Sequence, residues 1–185
     1  GIFSTDASHY QVEPLGVVFP ATAEDIQVVM EVAQEENVPV LPRGAGTSQC
    51  GQTVGRAIVV DVSRHLTQLG GGNGDEIEVE SGVVLDHLNA HLRHQHQWFP
   101  VDPSTGSRAT LGGMAGNNSA GARSLRYGTM ADNVSAIEVV LPDGRKLWLG
   151  EEESEEHHIP TELAFLRNLY AHNASEIIQR TPKTM

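Results

Sequence analysis

The sequence predicts an α+β fold of two lobes, and the arrangement of its strands and helices carries that prediction. A strand at 15–20, a helix at 23–36 and a strand at 38–41 form a compact strand–helix–strand unit, which favours a parallel strand pair. A glycine-rich run then separates this unit from a second set of strands and helices. We predict a small βαβ-containing lobe over about 15–66, and a mixed-sheet lobe with flanking helices over about 75–185.

The first lobe has clear boundary signals. Thr22 is a helix-capping residue, and Asp25 stands at the capping-box position three residues later. The apolar residues of the helix recur at helical spacing and predict its buried face: Ile26, Val29, Met30 and Ala33. A third strand is predicted at 57–62.

The second lobe begins after residues 70–74, Gly-Gly-Gly-Asn-Gly, which we expect to form a flexible turn. An alternating strand follows at 76–80, and a helix is predicted from 83 to 96. The apolar face of that helix consists of Val84, Leu85, Leu88 and Leu92.

The end of the chain predicts a hairpin, an acidic loop and a last helix. The strand at 136–141 is followed by a Pro-Asp-Gly turn and a returning strand at 145–149. The acidic run at 151–156 is expected to be a solvated loop. Thr161 is predicted to cap the last helix, whose apolar side contains Leu163, Leu166, Leu169 and Tyr170.

Composition limits the possible partners. Twelve Lys and Arg against 24 Asp and Glu give a net charge of −12, which argues against nucleic acid and anionic membranes. A phosphate-bearing ligand stays possible, because backbone N–H groups bind phosphate whatever the net charge. We find no apolar run long enough for a membrane span. The single cysteine, Cys50, fits a reducing, cytoplasmic compartment and cannot hold an iron–sulfur cluster alone.

Two segments are rich in glycine and hydroxyl residues. The first, 42–48, reads Pro-Arg-Gly-Ala-Gly-Thr-Ser and lies between predicted strands, where successive N–H groups can form an anion-binding nest. An ordinary tight turn is the competing interpretation. The stretch 97–121 has no clear period and is too long for an idle connector. Within it, the second segment, 102–121, has few side chains to pack against its backbone donors, so a large polar ligand would supply the missing contacts. A long surface loop is the competing interpretation of this segment.

Taken in order, these segments resemble the FAD-binding domain of the vanillyl-alcohol-oxidase type (PCMH-type) flavoproteins. The residues that carry the resemblance are the 42–48 loop with Gly51-Gln52, Thr110-Leu-Gly-Gly113, Asn117-Asn-Ser-Ala-Gly121, Arg126-Tyr-Gly128 and Glu138 to Gly144. The resemblance covers nearly the whole chain, and we predict a single FAD-binding domain over 1–185. It is closest to the D-lactate, glycolate and D-2-hydroxyglutarate dehydrogenase branch, which includes fusions with iron–sulfur modules.

The resemblance implies FAD as the cofactor and oxidation of a D-2-hydroxy acid as the reaction of a longer parent enzyme. Its substrate and catalytic residues would belong to a substrate domain that is absent here, and electrons would pass to an acceptor or an iron–sulfur module. Thr47 stands where covalently flavinylated relatives have histidine, so non-covalent FAD is expected. The implied cofactor-binding residues are Pro42, Arg43, Gly44, Ala45, Gly46, Thr47, Ser48, Gln52, Ser104, Ser107, Thr110, Leu111, Gly112, Gly113, Asn117, Asn118, Ser119, Gly121 and Val139, the last on the adenine side.

Three alternatives stay open from the sequence. One is a flavin-binding module without turnover, and another is an NADPH-dependent reductase of cell-wall precursor synthesis with the same fold. The third is a zinc protein using His87, His91 and His94, although a polar helix face is the simpler interpretation and no metal site is predicted. Cys50 is expected to be a small buried thiol, and Trp98 is expected to pack in the core.

Overall fold

The computed structural model describes residues 1–150 and 161–181. The chain divides into two compact units, Gly1–Leu149 and Gly150–Met185. No helix in the described part of the chain is long and apolar enough to cross a membrane.

The first unit begins with a three-stranded parallel sheet. Its strands are β1 (Gly16–Val18), β2 (Val40–Arg43) and β3 (Ile58–Asp61), and β3 lies between the other two. The buried residues Val59 and Val60 place β3 in the core. This arrangement confirms the predicted parallel strand–helix–strand unit.

Helix α1 (Ala23–Glu35) connects β1 to β2. The Thr22 hydroxyl accepts a hydrogen bond from the Asp25 backbone N–H, and the Asp25 carboxylate accepts one from the Thr22 N–H at 3.0 Å. This capping box satisfies N–H groups that the first turn of a helix leaves unpaired. Ala33 is buried and the other predicted apolar positions are half-buried, as expected.

Residues 70–73 of the glycine-rich run belong to a strand, so the predicted flexible turn is wrong there and holds only at Gly74. Strand β4 (Leu69–Asn73) pairs antiparallel with β5 (Glu76–Val79). The chain reverses at Gly74 and Asp75, where Gly74 takes a φ of +68° that favours glycine. The glycines have no side chains that favour a strand, and the run is extended because its backbone pairs with β5.

Helix α2 (Leu85–Leu92) follows, and its predicted apolar face is confirmed by the burial of Leu85, Leu88 and Leu92. A 3₁₀ helix, Arg93–Gln95, extends it and ends at His96 in a left-handed conformation. The buried core around α2 is completed by Val83, just before the helix, and by residues from later segments: Val101, Ala109, Leu111, Met114 and Met130.

The second glycine-rich segment, 102–121, contains a helix that its sequence did not predict. Helix α3 spans Leu111–Gly116, and the single turn α4 spans Ser124–Tyr127. Three of the six residues in α3 are glycine. Glycine disfavours a helix by about 1 kcal/mol relative to alanine, so local propensity hides this element.

Strands β6 (Ala136–Val140) and β7 (Lys146–Gly150) form the predicted hairpin. The backbone N–H of Leu141 donates to the Arg145 carbonyl at 2.8 Å and closes the turn. The α+β class is confirmed. In the described residues, however, the second lobe has two separate strand pairs rather than one mixed sheet, because β4–β5 and β6–β7 each pair only within their own hairpin.

The second unit contains helix α5 (Thr161–Arg180), which confirms the predicted last helix. Leu166, Leu169 and Tyr170, from its predicted apolar side, are exposed in the described structure. The acidic run at 151–156, predicted as a loop, lies outside the described residues.

Candidate cofactor-binding site

The first glycine-rich loop leaves the parallel sheet at the carboxyl end of β2. Arg43 is the last residue of that strand and is in register with Asp61 of β3. Within the part of the chain that the structure describes, no atom accepts a hydrogen bond from the backbone N–H groups of residues 44–49. Successive N–H groups without a protein acceptor, at the carboxyl edge of a parallel sheet, can form an anion-binding nest for a group such as phosphate.

The Arg43 side chain is occupied within the protein. It is 7% exposed, and its guanidinium donates to the carbonyls of Thr53 at 2.9 Å and Thr5 at 2.8 Å. The same group lies 5.4 Å from the centroid of the Phe3 ring. Arg43 therefore joins three stretches of backbone, and this bracing occupies donors that were expected to face the ligand.

Two features of the structure require glycine at position 46. Its φ is +66°, in the left-handed region that β-branched residues avoid. A Cβ at this position would also overlap the Arg43 guanidinium. The conformation of the loop is thus fixed by protein contacts before any ligand is considered.

The second segment is attached to the α2 lobe through its backbone. The Leu111 N–H donates to the Val83 carbonyl and the Gly112 N–H to the Ser81 carbonyl, both at 2.8 Å. A Cβ on Gly112 would come within 2.6 Å of the Ser81 Cβ, so glycine permits this close packing. Thr110 caps α3 by accepting a hydrogen bond from the Gly113 N–H at 3.3 Å.

The two glycine-rich segments meet at Gly44 and Thr110. Thr110 is 2% exposed, and a Cβ on Gly44 would overlap its hydroxyl. Because only a glycine lets the first loop approach Thr110 this closely, the segments predicted to share one ligand are brought together.

The exposed side of α3 is formed by glycines rather than by larger side chains. Leu111 and Met114 are buried, whereas Gly113 and Gly116 are exposed. Beyond their own helix, a Cβ on Gly116 would meet no atom of the described residues within 4 Å, and one on Gly113 would meet only the Thr110 hydroxyl, at 3.0 Å. Each glycine costs the helix about 0.5–1 kcal/mol relative to alanine. Protein packing gives no reason for that cost at Gly116, and a ligand lying against the backbone would.

The amide and serine positions after α3 hold the next segment in place. Asn118 has a φ of +44°, and its side-chain oxygen accepts a hydrogen bond from the Ala131 N–H at 2.9 Å. Asn117 donates to the Ser119 hydroxyl at 3.3 Å. The Gly121 N–H donates to Ser124, while a Cβ on Gly121 would overlap Asp102.

The remaining predicted positions surround these two segments less directly. The Gln52 side chain accepts from the Cys50 N–H at 3.2 Å and shapes the end of the first loop. Ser104 and Ser107 are exposed on the turn at 104–108, and Val139 is half-buried in β6. The first-loop positions Pro42 and Ala45 are exposed, whereas Thr47 and Ser48 are half-buried.

One carboxylate beside the second segment has an altered acidity. Asp132 accepts hydrogen bonds from the Thr129 N–H at 2.7 Å and from the Thr129 hydroxyl at 3.0 Å. These bonds, the backbone one first, lower the pKa of Asp132 below its ordinary value. A Cβ on Gly128 would overlap this carboxyl group, so Gly128 and Asp132 fix the turn between α4 and the following 3₁₀ helix.

Two side chains near the site differ from expectation. Cys50 is exposed rather than buried, because it lies in the bend after the free N–H groups. Trp98 is 40% exposed rather than part of the core. Its ring stacks edge-on with Tyr127 at 5.2 Å and lies under the Arg123 guanidinium at 4.9 Å.

The histidines of the α2 region do not assemble a metal site. His87 and His91 are exposed on α2, and His94 is exposed in the 3₁₀ helix after it. Across residues 1–150 and 161–181, no group of three or more His, Cys, Asp or Glu side chains could hold a metal ion.

The free N–H run and the open glycine face of α3 fit a long phosphate-bearing ligand, and comparison with known proteins names a cofactor of that kind. Residues 14–150 match the family described as "FAD binding domain". D-2-hydroxyglutarate dehydrogenase of Escherichia coli is 38% identical over 166 residues, which are 87% of this chain and 16% of that protein. Glycolate oxidase subunit GlcD of Bacillus subtilis is 34% identical over 77% of this chain and 31% of its own length.

A solved structure agrees on the fold. Chitooligosaccharide oxidase superposes with a TM-score of 0.70 at 19% identity, covering 83% of this chain and 33% of its own. The chain therefore spans only a small part of the curated relatives it matches. The family match covers most of its length, and the chain belongs to the FAD binding domain family.

Proposed function

We propose that this chain is the FAD-holding part of a flavin-dependent dehydrogenase, and that it binds FAD non-covalently between the first loop and α3. The observation that carries the proposal is the run of free N–H groups at 44–49, held against Thr110 of the second segment. Backbone donors can bind a pyrophosphate although the chain has a net charge of −12.

Different residues have different roles in this proposal. The N–H groups from Gly44 to Ser48 bind the pyrophosphate, and the bare backbone of α3 at Gly113 lies against the cofactor. Arg43 and Gln52 shape the first loop, while Asn118 and Ser119 hold the chain after α3. Ser104, Ser107 and Val139 stay proposed contacts at the edge of the site, with Val139 on the adenine side.

Thr47 supports the non-covalent mode. Its hydroxyl is a poor nucleophile at neutral pH and has no neighbouring base among its described contacts, so it offers no route to a stable flavin linkage. FAD, when bound, would supply an isoalloxazine ring that can accept a hydride, while this chain would supply binding and orientation.

For the parent enzyme we propose oxidation of a D-2-hydroxy acid. The support is the names of the relatives, a D-2-hydroxyglutarate dehydrogenase and a glycolate oxidase subunit. The substrate site, the catalytic residues and the acceptor, whether a quinone, a cytochrome or an iron–sulfur module, are proposed to lie outside these 185 residues. These relatives do not favour a cell-wall precursor reductase or a module without turnover. A cytoplasmic location is supported by the single unpaired cysteine.

Turnover assays on two proteins test this assignment. The parent enzyme and this chain are each loaded with FAD and given D-2-hydroxyglutarate, D-lactate or glycolate with an artificial electron acceptor. We expect the parent to bleach the acceptor with at least one substrate and this chain to do so with none. A parent that binds FAD but oxidises none of the three contradicts the substrate class, and turnover by this chain alone contradicts the division of roles.

A further inference from the structure

The first twelve residues fold against the candidate phosphate loop, although they precede the family match at 14–150. The segment turns back on itself through a bridge between Thr5 and Gln11 and a hydrogen bond from the Val12 N–H to the Ser4 carbonyl at 2.9 Å. The Phe3 ring packs edge-on against Phe19 at 5.6 Å, which anchors the segment to the end of β1.

This N-terminal segment contacts the loop at its start. The Arg43 guanidinium donates to the Thr5 carbonyl at 2.8 Å and approaches the Ile2 carbonyl at 3.5 Å. Arg43 directly precedes the run of free N–H groups. A buried guanidinium needs acceptors, and the N-terminal segment supplies two of them.

The N-terminal segment also contacts the chain just after the loop. The Thr53 hydroxyl donates to the Asp6 carboxylate at 3.0 Å, and the other Asp6 oxygen accepts from the Ser8 N–H at 2.8 Å. The Tyr10 ring covers Gly51, where a Cβ would come within 2.5 Å of the ring. Gly51 has a φ of +80°, so the ring and the turn conformation both require glycine there.

The pKa of Asp6 is consistent with these hydrogen bonds. Its partial burial acts to raise the pKa, but the hydrogen bonds from Ser8 and then Thr53 outweigh it and lower the pKa of Asp6 below its ordinary value. The folded contact therefore favours the ionised form of Asp6 over its protonated form.

We propose that residues 5–10 form a clamp, which holds both ends of the 44–49 loop so that its N–H groups are pre-arranged for a phosphate, with Asp6 as a positioning residue. This inference rests on the proposed FAD function. Fixing the backbone of one residue costs about 1–2 kcal/mol. If the loop is ordered before FAD binds, that cost does not reduce the binding free energy. Asp6 acts on the loop through Thr53, four positions beyond its end.

Three variants of the 185-residue chain test the clamp. Asp6→Ala removes both hydrogen-bond acceptors, and Asp6→Asn keeps the shape and can bond Ser8 and Thr53 through its amide. Asp25→Ala is the matched control, because it removes a carboxylate with two local backbone bonds at the start of α1. Amide hydrogen exchange of residues 44–53 is measured without FAD, and FAD affinity is measured by titration of flavin fluorescence.

We expect Asp6→Ala to speed amide exchange in 44–53 and to raise the Kd for FAD by about five- to tenfold. Asp6→Asn should restore most of both, and Asp25→Ala should lower thermal stability without changing either. Unchanged exchange in Asp6→Ala overturns the clamp. Faster exchange with wild-type FAD affinity overturns its link to the cofactor. If the wild-type chain binds no FAD, the proposed function fails and the cofactor role of the clamp fails with it, while exchange still reports whether Asp6 fixes the loop.

Discussion

The hydroxyl of Thr110 occupies the space that a side chain on Gly44 would need, so two glycine-rich segments more than sixty positions apart pack directly on each other. This contact joins the loop that follows β2 to the segment that contains α3. It also predicts that a change on one side can be relieved by a change on the other.

Gly44→Ala tests the contact. The new Cβ would overlap the Thr110 hydroxyl, so we expect about 1–3 kcal/mol of destabilisation in urea unfolding and weaker FAD binding. Adding Thr110→Ala removes the clashing hydroxyl, so the double variant should be more stable than the sum of the single effects predicts. Gly71→Ala in β4 is the control, because a Cβ there meets nothing within 4 Å. Strictly additive effects would show that the two residues do not touch.

Gly116→Ala is expected to raise the stability of the chain and to lower its affinity for FAD. Because alanine favours a helix and the space beside Gly116 holds no protein atom, we expect the FAD-free chain to gain stability, by at most about 0.5–1 kcal/mol. If FAD lies along the bare face of α3, the added methyl group should weaken FAD binding. Thermal unfolding and FAD titration of the same sample give both quantities. A stabilised variant with unchanged FAD affinity would place the cofactor elsewhere.

Gly46→Val should damage the loop itself. Valine disfavours a φ of +66°, and its side chain would displace the Arg43 guanidinium from the N-terminal segment. We therefore expect loss of FAD retention together with faster amide exchange in 44–53, while circular dichroism of the rest of the chain changes little. Gly72→Val is an unsuitable control, since a Cβ on Gly72 comes within 2.9 Å of the Glu76 carbonyl in the β4–β5 pair. Retained FAD in Gly46→Val would remove the first loop from the site.

Acidification should release the Asp6 contact. The folded pKa of Asp6 is lowered, so its carboxylate contributes stability above the unfolded pKa of about 3.9, and that contribution is lost as the pH falls through the lower folded value. We expect wild type to exceed Asp6→Asn in unfolding free energy by a constant amount near neutral pH. That difference should shrink below about pH 4. A difference that grows on acidification would have the wrong sign for this contact.

Local signals predicted some elements well. The Thr22–Asp25 capping box gave the start of α1, and the apolar spacing of Leu85, Leu88 and Leu92 gave the buried face of α2. Both are properties of neighbouring residues along one helix. The order of the glycine-rich segments, through its resemblance to a known family, gave the cofactor.

Other features depend on contacts between segments, which no local pattern in the sequence predicts. Strand β4 exists because β5 pairs with it, although Gly-Gly-Gly indicates a turn. The guanidinium of Arg43, an implied cofactor-binding residue, donates to the carbonyls of Thr5 and Thr53, which lie 38 and 10 positions away. Its burial follows from the packing of the N-terminal segment, which no periodicity reveals.

The central claim is that this chain holds FAD through the first loop and α3, and equilibrium binding of FAD to the purified 185-residue chain tests it most directly. Titration of FAD into wild type, Gly46→Val and Gly71→Ala, followed by denaturation and filtration, measures affinity and linkage together. We predict saturable binding by wild type and Gly71→Ala, none by Gly46→Val, and all of the flavin in the filtrate. Absence of saturable binding by wild type, or flavin that stays with the denatured polypeptide, would contradict the account.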